Sequence, residues 1–247
     1  MKYIKNILGV LLVVFCMTPP MSTLAASGQE AAVAPAKPAA TAMMPVYNPP
    51  KRGMPGGRLG GGTRGVGQHV TMLSVLAPDH TGLTTQEQPI LYWYLSTSTS
   101  QPIYFTLIDT ESMKTILDVR LPSPPRPGVQ AIRLTDHNVR LSPGIQYQWF
   151  IGLMVDGEHR SKDVIAGGVI ERAAAPKELS SKLAGAGRTA RAAVYAEAGF
   201  WYDAVEAISE EINAVPSDAG LRKQRASLLE QVGLKEIAAY DAGGGAS

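Results

Sequence analysis

Three of the four histidines directly follow an acidic residue, and these pairs are the first candidates for metal or acid–base chemistry. Imidazole and carboxylate groups together can bind a divalent cation. The pairs are Asp79-His80, Asp136-His137 and Glu158-His159. No two histidines have the His-x-His or His-x-x-x-His spacing that brings both rings to one face of a strand or helix. We therefore interpret the pairs as solvated loop residues and expect neither a metal nor a cofactor.

Covalent and phosphate chemistry have no matching motif. A Gly-x-Ser-x-Gly nucleophile elbow is absent, and the glycine-rich stretch 53–65 lacks the Gly-Lys-Ser/Thr order of a phosphate-binding loop. Several aspartates could supply the carboxylate pair of a glycosidase, but all lie in predicted turns, where aspartate usually hydrogen-bonds its own backbone. They are Asp79, Asp109, Asp136, Asp156 and Asp163. We predict that the protein is not an enzyme.

Residues 1–26 have the pattern of a secretory signal peptide. A short basic region precedes the apolar run 7–17, and Ala25 and Ala26 offer two cleavage positions. The run is shorter than the ~20 residues of a membrane-spanning helix, so we predict cleavage, no remaining membrane anchor, and a periplasmic or extracellular protein. Cys16 is the single cysteine, and its loss with the peptide would exclude thiol catalysis, disulfides and cysteine metal sites.

Residues 27–68 are rich in alanine, proline and glycine and show no apolar periodicity, so we predict a disordered arm. The arm is basic in its second half, where no acidic residue lies among Lys51, Arg52, Arg58 and Arg64. It can be a solvated linker, or it can dock onto a protein or an anionic envelope surface such as lipid or polysaccharide. Nucleic acid is not expected as a partner, because few aromatic residues interleave the charges.

From 69 to 172 the chain has the pattern of a β domain, with runs of β-branched and aromatic residues between turn signals. The runs predict strands at Val70–Leu76, Ile90–Leu95, Ile103–Ile108, Thr115–Leu121, Val129–Leu134, Gln146–Val155 and Val164–Ile170. This number of short strands in about 100 residues is typical of an immunoglobulin-like antiparallel β-sandwich. We expect Trp93 and Trp149 to anchor its core.

From 177 to 240 the apolar period becomes helical. One stretch has the spacing of a tetratricopeptide repeat (TPR). Its matching residues are Tyr195, Gly199, Trp201, Ala204, Ile208, Ile212 and Pro216. A single repeat cannot bury both of its faces, so we predict one TPR-like helical hairpin that packs on the sandwich, on itself or on a partner.

Three consecutive aromatic residues stand in that hairpin. One face of a helix cannot bury three adjacent side chains, because they point in different directions. We assign Trp201 to the core, and Phe200 and Tyr202 become the candidate contacts to a protein partner.

The order of several short motifs resembles the domain-of-unknown-function family 928, secreted proteins found chiefly in cyanobacteria. The motifs are Gly61-Gly62-Thr63-Arg64-Gly65, Leu141-Ser142-Pro143-Gly144 with Tyr147 and Trp149, Gly168-Val169-Ile170-Glu171-Arg172, and Tyr195-Ala196 with Gly199, Trp201, Tyr202, Asp203 and Ala204. The resemblance covers about 55–240. Members often carry two cysteines near the positions of Gly67-Gln68 and Met154-Val155, so the disulfide that the family implies is absent here. The resemblance implies no activity.

These observations predict an α+β protein, with an immunoglobulin-like antiparallel β-sandwich at 69–172 and a TPR-like helical region at 177–240. We expect a noncatalytic secreted or periplasmic binding or adaptor protein whose partner is another envelope protein. One alternative is an envelope carbohydrate-binding domain or hydrolase, which requires a row of exposed aromatic residues or acids that converge in a cleft. A structural spacer is the second alternative.

Overall fold

The structure of the protein is a computed structural model that describes residues 44–50, 57–60, 63–66, 69–124, 126–154 and 163–243. All of them belong to one unit, Ala40–Ser247. The predicted signal peptide lies outside the described residues.

The described residues contain ten strands. Their bounds are β1 Leu59–Gly60, β2 Thr63–Val66, β3 His69–Val75, β4 Gly82–Thr84, β5 Ile90–Leu95, β6 Ile103–Asp109, β7 Thr115–Leu121, β8 Gly128–Arg133, β9 Gln146–Leu153 and β10 Val164–Arg172. Each predicted strand is present within two residues of its predicted ends, and β1, β2 and β4 are additional. The β-branched and aromatic runs therefore located the strands correctly.

The strands form two sheets. One has the order β1-β10-β9-β6-β7, and β4 pairs in parallel with β10. The other has the order β2-β3-β5-β8, and its neighbouring strands are antiparallel. Strands β7 and β8 therefore each lie at the end of a sheet.

Helices follow the strands. They are α1 Lys177–Gly185, α2 Arg191–Glu197, α3 Trp201–Ala214, α4 Ala219–Gln231 and α5 Lys235–Ala242. Gly199, with φ at +84°, makes the turn between α2 and α3. The Asp218 carboxylate caps α4 by accepting from the Gly220 amide at 2.8 Å. The protein is thus a mixed α+β fold with largely antiparallel sheets. In the described part of the chain, every helix is too short or too polar to cross a membrane.

Strand β5 is buried on both faces and therefore lies in the middle of the core. On one face Tyr94 packs edge-on against Tyr240 of α5, with ring centroids 5.1 Å apart. On the other face Trp93 is buried, and Trp149 of the six-stranded sheet is fully buried too. Both tryptophans are core anchors, which confirms that prediction. The helices cover the Tyr94 face of the four-stranded sheet.

The first turn of α3 forms hydrogen bonds with the residue that follows β3 and with two strands of the six-stranded sheet. The Trp201 indole donates to the Leu76 carbonyl at 2.9 Å. The Tyr202 hydroxyl accepts from the Trp149 indole at 2.9 Å and donates to the Val169 carbonyl at 3.0 Å. Both side chains are buried with their polar atoms paired, as a dry core requires. The helices and the sheets therefore share one hydrophobic core.

Parts of the predicted disordered arm are ordered against this core. Tyr47 is buried, its ring lies edge-on to Trp201 with centroids 5.0 Å apart, and its amide donates to Gln231 at 2.8 Å. Strands β1 and β2 also come from the arm. Here the structure differs from the predicted disorder. Composition alone does not indicate that Tyr47 packs into the core or that β1 and β2 each pair with a neighbouring strand. Other parts of the arm, including 27–43 and 51–56, lie outside the described residues.

Candidate functional site

A groove of about 850 Å³ lies between strand β8 and the helices. Six consecutive residues, 126–131, form one wall. The C-terminal half of α3, together with α4 and α5, forms the other wall. Its volume falls within the range of sites that bind ligands, and its long wall of continuous main chain suits an extended ligand.

Strand β8 gives this groove an open sheet edge. Within the described residues only β5 pairs with β8. An edge strand presents a row of N–H and C=O groups to its free side, ready to pair with another strand. At the entry to β8, the Gln130 side chain donates to the Arg126 carbonyl at 3.0 Å. The same side chain also donates to the Gly128 carbonyl at 3.4 Å, so the first carbonyl of β8 is occupied. These two contacts fix the start of the wall.

Tyr92 of β5 lines the groove and carries a polar atom with no partner. The residue is 4% exposed, and its hydroxyl has no hydrogen bond within the described structure. Burial raises the pKa of the Tyr92 hydroxyl to about 12, and the nearby Glu206 adds to this effect. Buried polar groups are almost always paired, so this hydroxyl is an exception, and its oxygen is itself buried from solvent.

The helical wall is held together by a buried ion pair. The Arg225 guanidinium of α4 donates two bonds of 2.7 Å to the Asp241 carboxylate of α5. It donates a third bond of 2.9 Å to the Ser209 hydroxyl of α3. A bidentate arginine–carboxylate pair has a fixed geometry, so this contact keeps three helices in register along the groove.

A second, smaller pocket of about 320 Å³ lies beside the N-terminal half of α3. Asp203 and Glu206 line it, both largely buried. Burial raises the pKa of Asp203 to about 6, despite hydrogen bonds from Thr85 that lower it, and burial also raises the pKa of Glu206. Buried acids with raised pKa values in a pocket are a frequent mark of functional sites.

The hydrogen bonds of these two acids give them a structural role. Asp203 accepts from both the amide and the hydroxyl of Thr85, and Glu206 accepts from the Ile90 amide at 3.1 Å. Both contacts tie α3 to the chain that leads into β5. The two acids therefore hold α3 against this segment. Their contacts do not direct the two carboxylates toward a common substrate atom. Sequence reasoning missed both acids, although Asp203 belongs to the motifs that carry the family resemblance.

The predicted partner contacts are placed inside the protein. Phe200 is 3% exposed and packs with Leu83 and Leu179, and Tyr202 is 2% exposed. Trp201 is fully buried, as predicted. The interpretation of Phe200 and Tyr202 as exposed contacts is thereby corrected. Phe200 precedes α3 and is buried in a small separate cluster, whereas Trp201 and Tyr202 both belong to the main core.

Among the basic residues of the arm, Arg58 is the one whose side chain the structure describes. Arg58 is half-buried, and its guanidinium donates to the carbonyls of Ala77 and Val232, both at 3.1 Å. Arg64 contributes backbone to β2. Lys51 and Arg52 lie outside the described residues. Arg58 therefore acts as a link between the sheets and the helices.

The two acid–histidine pairs within the described ranges do not form a metal-binding cluster. His80 lies 3.3 Å from Asp79 and shares a 2.9 Å hydrogen bond with the Tyr47 hydroxyl. His137 lies in the short 3-10 helix Leu134–His137, and the pair at 158–159 lies outside the described residues. No group of three or more potential metal ligands is present among the residues described.

The outer face of the six-stranded sheet carries a small aromatic floor. Tyr104, Phe150 and the 51%-exposed Ile165 surround a depression of about 240 Å³ above Gly152. The Phe150 ring lies directly on Gly167, where a Cβ atom would be 2.5 Å from the ring. Because these glycines level the sheet, two aromatic rings lie on an open face.

A family model described as Domain of Unknown Function (DUF928) matches residues 59–241. No curated protein matches the chain. Among solved structures, the chain is similar to a multi-domain immunophilin from Arabidopsis thaliana, at 6% sequence identity and a TM-score of 0.18, with 70% of this chain and 93% of that chain covered. Agreement this low carries no argument about fold or function.

Proposed function

This chain belongs to the family Domain of Unknown Function (DUF928), as its motifs indicated, and we propose that it is a noncatalytic binding or adaptor protein of the cell envelope. In this proposal it holds an extended segment of a partner protein in the groove beside β8. The partner contact is thus moved from Phe200 and Tyr202 to the edge of the four-stranded sheet.

The observation that carries this proposal is the pairing of an open strand edge with a facing helical wall. Sheet edges flanked by a helix are used to bind peptides as an added strand, where main-chain hydrogen bonds give affinity and side-chain pockets give specificity. The groove has continuous main chain from 126 to 131 on one side and Ile212 and Tyr240 on the other. It therefore offers both kinds of contact.

The proposal also includes the finer features expected from the sequence. The two antiparallel sheets would form an immunoglobulin-like sandwich, and α2 with α3 would form a TPR-like hairpin, supported by the tight turn at Gly199. The chain would be secreted through the signal peptide at 1–26. Lys51 and Arg52 would remain available for an anionic envelope surface.

A groove-filling substitution tests this function. Asn213 is exposed and lines the groove, whereas the next residue, Ala214, is exposed and lies outside its lining. With a photo-crosslinking residue placed at Val129, the full chain in its native host should form an adduct with a partner protein. Asn213→Trp should remove the adduct, and the matched variant Ala214→Trp should retain it.

Mass spectrometry of the adduct should place the crosslink on an extended segment of the partner. Equal thermal unfolding of both variants would show that loss of the adduct results from the filled groove and not from a folding defect. If both variants lose the adduct equally, or neither does, then the groove is not the binding site.

A second candidate function is carbohydrate binding, favoured by the aromatic floor of Tyr104 and Phe150. Sugar rings pack their apolar faces on aromatic rings, and the levelled sheet leaves both rings accessible from one side. Affinity electrophoresis in gels containing envelope polysaccharide tests it. Phe150→Ala should abolish retardation, and Val215→Ala, at an exposed apolar residue outside the depression, should preserve it. Unretarded wild-type protein would remove this candidate.

A further inference from the structure

The groove beside β8 carries a net positive charge. Its lining includes Arg126, Arg222 and Arg225 and one acidic residue, Asp241. Arg225 and Asp241 neutralise each other through their buried bidentate contact. The other two arginines therefore set the charge that a ligand meets.

These two arginines stand on opposite walls. Arg126 is exposed in the segment that enters β8, and Arg222 is half-buried on α4. The Arg222 guanidinium donates to the Pro216 carbonyl at 3.2 Å, which leaves further donors unused. Within the described ranges, neither arginine forms an ion pair with a carboxylate. A ligand between the walls would meet guanidinium groups from two sides.

We propose that the occupant of the groove is an acidic, extended polypeptide segment of another protein, which joins β8 as an additional strand. This inference rests on the proposed function and names the chemical class of the partner. Carboxylates match the fork of arginine donors in geometry as well as in charge. Charge complementarity across a binding surface speeds the encounter and rejects segments of the wrong charge.

The open edge favours a strand over a compact anion. A free phosphate or a single carboxylate would use the arginines and leave the main-chain groups of β8 unpaired. An extended segment can pair with both. Alternate residues of an added strand point to opposite faces, so apolar side chains can reach Ile212 and Tyr240 while acidic ones reach the arginines.

Binding of a labelled peptide to the full chain tests the proposal. The probe is a peptide of about eight residues that alternates glutamate and valine, and its counterpart alternates lysine and valine. Fluorescence anisotropy should show the acidic peptide binding at least about tenfold more tightly, with affinity that falls as salt is added. Hydrogen exchange followed by NMR should show protection of β8 amides on binding.

Charge reversal supplies the matched comparison. Arg126→Glu with Arg222→Glu should lower affinity for the acidic peptide at least about tenfold. Arg120→Glu with Lys223→Glu changes the net charge equally at exposed positions outside the groove lining and should change affinity less than about twofold. If the first double variant fails to fold, Arg126→Gln with Arg222→Gln takes its place.

Several outcomes would overturn the proposal. Equal binding of both peptides would show that the groove does not select acidic segments. Equal loss in both double variants would show attraction to the overall charge alone. Protection of β8 that depends on protein concentration without peptide would identify a second copy of this chain as the occupant. Absence of peptide binding would reject the acidic strand, while the photo-crosslink at Val129 decides the proposed function separately.

Discussion

The two sheets end in strands that are built differently. Strand β7 closes the six-stranded sheet with Asp118 and Arg120 exposed, and its pairing with β6 shifts register between Leu107 and Ile108. Strand β8 closes the four-stranded sheet with regular pairing to β5 and has no charged residue before Arg133. One edge is irregular and carries charges within the strand, and the other is regular and carries a charge only at its last residue.

This difference shows how one protein can protect an edge and keep another available. Exposed charges and bulges oppose the addition of a further strand. Strand β7 has exposed charges and a register shift. It does not line the groove that lies between β8 and the helices. Strand β8 has no register shift and no charged residue before Arg133, and helices face it across the groove. The two edges therefore differ in regularity, in exposed charge and in the elements that face them.

Loss of the buried Arg225–Asp241 ion pair should have the largest effect on stability, and it should affect β8 more than β7. Arg225→Met leaves the Asp241 carboxylate buried without its partner, and we expect the free energy of unfolding to fall by about 3–5 kcal/mol. Because the pair holds the wall of the groove, amides of β8 should lose protection from hydrogen exchange more than amides of β7. Urea unfolding and hydrogen exchange measure the two effects.

Two controls define the source of this loss. Arg222→Met on the same helix should change the free energy of unfolding by less than about 0.5 kcal/mol. Arg225→Met with Asp241→Leu should recover most of the lost stability, because no charge remains buried. A single variant as stable as the wild type would show that the ion pair does not hold the wall.

A rise in pH should also destabilise the edge at β8 before the edge at β7. The pKa of Asp203 is raised from 3.8 to about 6 in the folded protein, so the folded chain holds this proton more tightly than the unfolded chain does. Stability is then greatest below the unfolded pKa and falls as the pH rises to the folded pKa, by about 3 kcal/mol from this group. Because Asp203 binds the chain leading into β5, protection should fall at β8 before β7.

Asp203→Asn isolates this contribution. The amide oxygen can still accept from Thr85, but the side chain no longer ionises. Urea unfolding at about pH 4 and about pH 7 should show that the variant has lost most of the pH-dependent change. Glu206 contributes in the same direction through its own raised pKa, so a smaller slope should remain. An unchanged slope would show that Asp203 is not the group responsible.

Tyr92→Phe should separate binding at the β8 groove from stability. Removal of a buried hydroxyl without a partner should raise the free energy of unfolding by about 1 kcal/mol. If the hydroxyl bonds to the bound segment, the same change should weaken binding of the acidic peptide. Tyr94→Phe, on the same face of β5, is the control and should alter neither property. A loss of stability in Tyr92→Phe would show that the hydroxyl is already paired.

The sequence located most of the strands and the helical region because short-range patterns determine them. Alternating apolar and aromatic residues predict β5 and β9 without knowledge of their neighbours. The TPR-like spacing placed Trp201 correctly in the core. It could not place Phe200, because the direction of a side chain just before a helix depends on the tertiary packing of α1 and β4.

The groove could not be predicted from the sequence, because it depends on which strand ends each sheet. Residues 129–134 were predicted as a strand, but no local pattern shows that β8 has only one neighbour. Arg225 and Asp241 lie 16 residues apart on different helices, and nothing in their spacing predicts a buried pair. The order of strands and the contacts between helices are therefore the information that only the structure supplies.

The smallest effect on stability is expected at β7, where the exposed charges have a protective role. Asp118→Val with Arg120→Val should change the free energy of unfolding by less than about 0.5 kcal/mol. The variant should nevertheless self-associate as its concentration rises, as analytical ultracentrifugation would show, because an uncharged edge can pair with a second copy. Glu111→Val with Lys114→Val, exposed in the β6–β7 turn, makes the same change in composition away from the edge and should remain monomeric.

Equal association of both variants would point to added hydrophobicity. A monomeric β7 variant would show that the register shift alone protects this edge, and the contrast with β8 would then depend on strand geometry and not on charge.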